Sequence, residues 1–245
     1  MTINIISEPV LQMLAAFERV LKKLNIDFYL VGALARDIGL SVNPRLAPKR
    51  KTNDVDIAIF VASEQQFCQV KEALMANGEF AAHETESIKL FYKGAIELDL
   101  LPFGDIENKE RETRLKQPRL FVMDVPGFRE VFPDAEQYKL NDEVTLKVCP
   151  LEGIVLLKLI ANDDKPERTK DIADIEYIIS VYFGLKDMEI YEDQFDLLDI
   201  YNTDDPNYMN LISARVVGRK IGHMLRESEK LRERLLSILN RKTTG

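Results

Sequence analysis

Asp54 and Asp56 stand one position apart at the head of the apolar run KTNDVDIAIF, residues 51–60. In an extended chain residues i and i+2 point the same way, so both carboxylates face one spot while Val55, Ile57 and Ile59 take the alternate positions. Two negative charges that close repel unless a cation lies between them, and hard oxygen donors suit Mg²⁺ or Mn²⁺, whose remaining positions go to water or phosphate oxygens. A third carboxylate, Asp99, lies on IELDLL (96–101), where Glu97 and Asp99 share one face and Ile96, Leu98 and Leu100 the other. If that strand neighbours residues 54–61, three carboxylates meet, a donor set used for displacement at phosphorus. A D-x-D at a strand start also occurs as plain surface decoration, so what accompanies it matters.

Gly32 is the first companion. YLVGALARD (29–37) is a strand, a glycine and then a helix, a junction that can bring backbone amides and a helix N-terminus to a phosphate. The same junction can serve tight packing alone.

These residues need a scaffold, and the chain's periodicities supply one. Val10, Leu11, Leu14, Phe17, Val20, Leu21 and Leu24 recur at helical spacing over 8–24. FYLV (28–31) reads as a strand, ALARDIGL as a helix, and SVNPRLAPKRKTN as turns. DVDIAIFVA is the next strand, followed by a helix from Ser63, a plausible N-cap, to Gly78 past its end. SIKLFYKGAIELDLLPFG reads as a hairpin turning at Lys93-Gly94, and RLFVMDV and EVTLKVC as further strands. Beyond Pro150 helices are expected at about 150–162, 169–183, 187–199 and 207–240, the last broken near Gly222. The expected architecture is α/β (α+β): a mixed-sheet domain over 1–149 and a helical domain over 150–245.

Composition limits the functional classes. With 46% hydrophobic and 30% charged residues the chain can bury a real core. No stretch reads as a secretory leader or approaches the roughly 20 apolar residues of a membrane helix, so a cytoplasmic location is expected. Cys68 and Cys149 lack metal-ligand spacing and read as core thiols. A net charge of -8 argues against a nucleic-acid binder that uses its whole surface, yet Ala214–Lys242 holds nine Lys or Arg against three Glu, leaving -14 on the remainder. That basic stretch is either a solvated helix face or a docking face for RNA.

FYLVGALARDIGL, TNDVDIAIFV and IELDLL, in that order, resemble the polymerase β-type nucleotidyltransferase superfamily. PLEGIVLLKLIANDDKPERTKDIADIEYI resembles the K-x-x-A and R/K-D-x-x-D pattern of its AbiEii-like branch, through Lys158, Ala161, Arg168, Lys170, Asp171 and Asp174. That branch includes toxins of toxin-antitoxin and phage-defence systems. The resemblance covers about residues 26–180 and implies a mixed-sheet nucleotidyltransferase core whose helical domain closes the nucleotide cleft. It implies that Gly32, with Ala33, lies under the nucleotide phosphates, that Asp54 and Asp56 hold Mg²⁺ or Mn²⁺, and that Asp99 is third ligand or base. Lys158 would reach the triphosphate and Asp171 and Asp174 would order that wall, although a lysine in an apolar helix can also snorkel and two acids can simply suit a helix start.

Ala33 departs from the superfamily's usual second Gly or Ser and offers no hydroxyl to a phosphate. Arg36, Lys49, Arg50 and Lys51 are candidate substitutes, or, for the last three, a solubilised loop. The implied activity is metal-dependent transfer of a nucleotidyl group from an NTP to a hydroxyl or phosphate acceptor. Candidate acceptors are tRNA, through the basic 214–242 stretch, and a cationic small molecule of the aminoglycoside type, through the acidic YEDQFDLLDIYNTDD (191–205). A cognate antitoxin protein is an implied partner. The alternative is a catalytically inactive binding or regulatory protein that keeps the fold.

Overall fold

The computed structural model describes residues 5–46 and 54–243, and the chain divides into two compact units, Met1–Pro150 and Leu151–Gly245. The first unit runs α1 (Glu8–Leu24), β1 (Phe28–Val31), α2 (Gly32–Leu40), β2 (Asp54–Phe60), α3 (Glu64–Met75), β3 (Phe80–Ala82), β4 (Lys89–Tyr92) and β5 (Ile96–Phe103). It continues with β6 (Glu112–Leu115), β7 (Phe121–Asp124), a single helical turn α4 (Phe128–Val131), β8 (Glu136–Lys139) and β9 (Thr145–Val148). Seven strands form one sheet in the order β3-β4-β5-β2-β1-β9-β8, and β6 pairs with β7 as a separate ribbon.

The sheet is mixed. β2 runs parallel to β5 and β1 parallel to β9, while β1–β2, β3–β4, β4–β5 and β8–β9 are antiparallel. One face takes the alternate residues Leu30, Val55, Ile57, Ile59, Leu98 and Leu100, all buried. α1 lies over it: Val10, Met13, Leu14, Phe17 and Leu21 are buried at helical spacing, and the Phe17 ring meets Phe28 edge-on at 5.2 Å. α3 packs beside α1, its start fixed by Ser63, whose hydroxyl accepts from the Gln66 amide at 3.2 Å.

The other face is divided along the strands. At one end an aromatic cluster forms from Tyr29, Phe60, Phe103, Phe128 and Phe132, and the Tyr29 hydroxyl donates to the Phe128 carbonyl at 2.9 Å. At the other end lie carboxylates, because the register that pairs Phe60 with Phe103 also pairs Asp56 with Asp99 and Asp54 with Glu97.

The second unit is helical: α5 (Leu151–Asp164), α6 (Thr169–Leu185), α7 (Asp187–Asp193), α8 (Tyr208–Met224) and α9 (Glu229–Thr243). Buried Ile154, Leu156, Ile178, Tyr182, Ile212, Val216 and Leu225 fill its core. Two boundaries differ from expectation. The expected 187–199 helix stops at Asp193 and continues as a 3₁₀ turn, Phe195–Leu197. The break in the last helix falls at 225–228 and not at Gly222, which sits exposed inside α8 with open space around it. The carbonyl of Ser228 accepts from the Arg232 amide, so a favoured N-cap residue opens α9 and sets the break.

Candidate active site

In parallel strands, residues paired in register point to the same side, so Asp54, Asp56, Glu97 and Asp99 present four carboxylates to one patch of the sheet. Asp54 is exposed, and Asp56, Glu97 and Asp99 are half-buried. β1 contributes from the opposite side, since Val31 pairs with Asp56 and the chain enters α2 at the next residue.

That next residue, Gly32, has φ +67°, and a Cβ built on it would lie 2.0 Å from Asp56 Oδ2 and 2.8 Å from Asp56 Cγ. The absence of a side chain is what lets the Asp56 carboxylate come against the start of α2, where the helix dipole favours negative charge. The sequence motif points to a phosphate under this glycine; the structure adds that an aspartate is already packed against it. Ala33 follows on the first turn, half-buried. Arg36 is turned toward its neighbour, its Nε and Nη2 donating to Asp37 Oδ1 at 2.9 and 2.7 Å. Lys49, Arg50 and Lys51 lie outside the described residues.

Asp99 has an unusual environment. Its Oδ1 is buried and has no hydrogen-bond partner among the described residues. Lys89, directly opposite on β4, brings its Nζ to 3.8 Å from that oxygen but hydrogen-bonds instead to Glu97 Oε2. Burial pushes the Asp99 carboxyl above the ordinary aspartate range, Lys89 draws it back, and Glu97 and Asp54 add to the rise. The Glu97 hydrogen bond holds the Lys89 ammonium above its usual value against the opposing effect of burial.

Lys89 was not singled out from sequence. The available signal was hairpin geometry, but only with the right loop length: a two-residue Lys93-Gly94 turn would set Lys89 against Leu98, whereas the observed three-residue loop Lys93-Gly94-Ala95 sets Tyr92 against Ile96 and Lys89 against Asp99.

Among the described residues, no three His, Cys, Asp or Glu side chains stand close enough to form a ready-made metal site. The chemistry of the patch nevertheless fits a hard divalent cation. Its donors are carboxylate oxygens, and one of them, Asp99 Oδ1, is buried without a hydrogen bond among the described residues.

The remaining candidate residues belong to the second unit. Lys158 Nζ lies 2.7 Å from Asp171 Oδ1 and 2.7 Å from Asp174 Oδ2, and the Arg168 Nε donates to Asp171 Oδ2 at 2.6 Å. Burial raises the Asp171 carboxyl, but the Arg168 and Lys158 hydrogen bonds outweigh it and the net value is below the ordinary range. Lys158 therefore does not snorkel freely; with Arg168, Asp171 and Asp174 it forms a four-residue ion cluster, its side chain 15% exposed. In the basic stretch, Arg219 pairs with Asp196, Lys220 with Glu152 and Glu189, Arg234 with Asp164, and Arg241 with Asp163. Arg226, also exposed, donates to the His223 carbonyl at 3.2 Å and lies 3.8 Å from Glu227, and Arg215, Lys230 and Arg232 are exposed as well.

A family model described as "Nucleotidyl transferase AbiEii toxin, Type IV TA system" matches residues 14–237 of the chain. No curated protein matches the sequence significantly. Among solved structures, the chain is similar to ANT(2″)-Ia in complex with adenylyl-2″-tobramycin (14% identity, 76% of this chain and 95% of that one, TM-score 0.45). It is also similar to the lincosamide antibiotic adenylyltransferase LnuA with lincomycin bound (15% identity, 70% and 95%, TM-score 0.38). A third is the Thermotoga maritima CCA-adding enzyme complexed with tRNA (14% identity, 81% and 55%, TM-score 0.29).

Proposed function

The chain belongs to the AbiEii family of nucleotidyltransferases, the enzymes of type IV toxin-antitoxin systems, and from that premise we propose that its four-carboxylate patch transfers a nucleotidyl group from a Mg²⁺- or Mn²⁺-NTP to an acceptor hydroxyl. One observation carries the assignment: the parallel register of β2 and β5 sets Asp56 beside Asp99 while Gly32 admits the Asp56 carboxylate to the start of α2. Asp54, Asp56 and Asp99 would hold the metal. When bound, a divalent cation supplies charge neutralisation at the phosphates and polarises the reacting oxygens.

The protein's own groups divide the remaining work. The Gly32 and Ala33 amides at the start of α2 bind and orient phosphate oxygens. The acceptor oxygen forms a bond to the α-phosphorus as the bond from that phosphorus to the bridging oxygen breaks, and pyrophosphate leaves with the electron pair. The acceptor's proton passes to the Asp99 carboxylate. Lys158, ordered by Asp171 and Asp174, binds the triphosphate. Orientation and fixed charge account for most of the rate.

The favoured acceptor is an RNA end such as that of tRNA, supported by exposed Arg215, Arg226, Lys230 and Arg232 on and after α8. Affinity of that kind falls by orders of magnitude as salt rises. A second reading, a cationic small-molecule acceptor, is favoured by residues 191–205, which carry six Asp or Glu and no Lys or Arg. The protein's site of action is the cytoplasm, where NTP is available and Cys68 and Cys149 remain free thiols, and a cognate antitoxin restrains it. No helix among the described residues is long and apolar enough to cross a membrane.

The test is incubation with each α-labelled NTP, Mg²⁺ or Mn²⁺, and either total RNA or an aminoglycoside. Label appearing in RNA supports the first acceptor and label in the aminoglycoside the second. Label in neither, under either metal, sinks the proposal.

A further inference from the structure

Lys89 has two carboxylates within reach and takes the less direct one. Antiparallel pairing sets it straight across from Asp99, with Glu97 on the diagonal, opposite Phe91. Its ammonium nevertheless hydrogen-bonds to Glu97 Oε2 and stops 3.8 Å short of Asp99 Oδ1, beyond hydrogen-bonding distance. Asp99 Oδ1 is left as a buried acceptor with no hydrogen bond among the described residues, an arrangement that costs free energy unless another partner takes that oxygen. Glu97 is the more exposed of the two carboxylates, its side chain 42% accessible against 31% for Asp99, so Lys89 is drawn toward the solvent edge of the patch.

The geometry points to Lys89 and Glu97 as a positioning pair: Glu97 holds the ammonium aside so that Asp99 keeps an oxygen for a divalent cation, and Lys89 competes with that cation for the patch. This rests on the reading of the patch as the metal-holding site. Neither residue need touch the nucleotide. Lys89 acts as a resident counter-charge that keeps four carboxylates together, and its side-on position sets how much cation is needed to load the site. Without Glu97 the ammonium has Asp99 as its nearest carboxylate, and a movement of about 1 Å brings it into hydrogen-bond range.

Mn²⁺ alone, titrated into the full chain without nucleotide and followed by the electron paramagnetic resonance of free Mn²⁺, separates these effects. Lys89→Met is expected to tighten Mn²⁺ binding on the order of tenfold by removing a nearby positive charge, whereas Lys89→Arg, which keeps the charge, stays near wild type and guards against a folding artefact. Glu97→Gln is expected to weaken binding severalfold, and to lose most of that effect when Lys89→Met is present, because Glu97 acts through the lysine. Equal weakening by Glu97→Gln in both backgrounds, or unchanged or weaker binding in Lys89→Met, overturns the inference while leaving the metal site standing. Mn²⁺ binding that survives Asp54→Asn with Asp56→Asn overturns the metal-site reading and the inference with it.

Discussion

Substituting Gly32 by Ala probes the link between the glycine and the aspartate directly, and Gly94 supplies an internal control. Both have φ +67°, so each alanine variant incurs the cost of a left-handed residue, about 1–2 kcal/mol. Around Gly94 nothing lies within 4 Å of the added Cβ, whereas at Gly32 the Cβ would lie 2.0 Å from Asp56 Oδ2 and 2.8 Å from Asp56 Cγ. The carboxylate must leave its rotamer, adding about 0.5–1.5 kcal/mol if the side chain turns aside. Gly94→Ala is therefore expected to lose about 1–2 kcal/mol in urea unfolding and keep wild-type transfer. Gly32→Ala should lose about 1.5–3.5 kcal/mol and also lose transfer by about a hundredfold or more, as displacement of a positioned catalytic group does. If Gly32→Ala proves no less stable than Gly94→Ala and transfers nucleotide at the wild-type rate, the packing of Asp56 against the start of α2 has no role in the chemistry.

Two further perturbations follow from the ionisable groups. The folded-state pKa of Asp99 lies above the ordinary value of about 3.9, so the fold favours its protonated form; the stability this confers is present below about pH 4 and lost as pH rises through the raised value. Asp99→Asn, in EDTA, should therefore melt a few degrees above wild type at pH 7 and lack that loss on titration from acid, while transfer is abolished; a lower melting temperature than wild type at pH 7 would contradict the account of its burial. Lys158→Met leaves Asp171, with its side chain 4% exposed, to Arg168 alone and should cost about 3 kcal/mol by denaturant unfolding. Adding Asp171→Asn should restore most of that stability but not transfer; recovery of both would reduce Lys158 to a structural part.

The strands that carry the acids were legible because alternation and a buried face fix them: DVDIAIF and IELDLL each hide one row of apolar side chains and expose one row of acids. The helices of the second unit were legible from their apolar spacing. β3, β6 and β8 were not, since they are three or four residues long and lie at sheet edges or in a ribbon; β3 and β8 bury few side chains, and the alternation of β6, with Thr113 and Leu115 buried, is too short to set a period. The site was legible as residue types but not as relations. That Asp56 and Asp99 are neighbours depends on β2 pairing parallel with β5, a long-range choice no local pattern encodes. Lys89 looked like an ordinary strand lysine until the hairpin register set it against Asp99. The Lys158–Asp171–Asp174 cluster shows the same limit, because helical spacing places each residue on α5 or α6 but not the distances between them.

Mass spectrometry of acceptor RNA after incubation with NTP and Mg²⁺, using wild type and the Asp54→Asn, Asp56→Asn double variant side by side, tests the central claim most directly. The account predicts RNA heavier by whole nucleoside monophosphates, with one pyrophosphate released for each, in the wild type and neither product in the variant. Equal mass gain by the two proteins would contradict it.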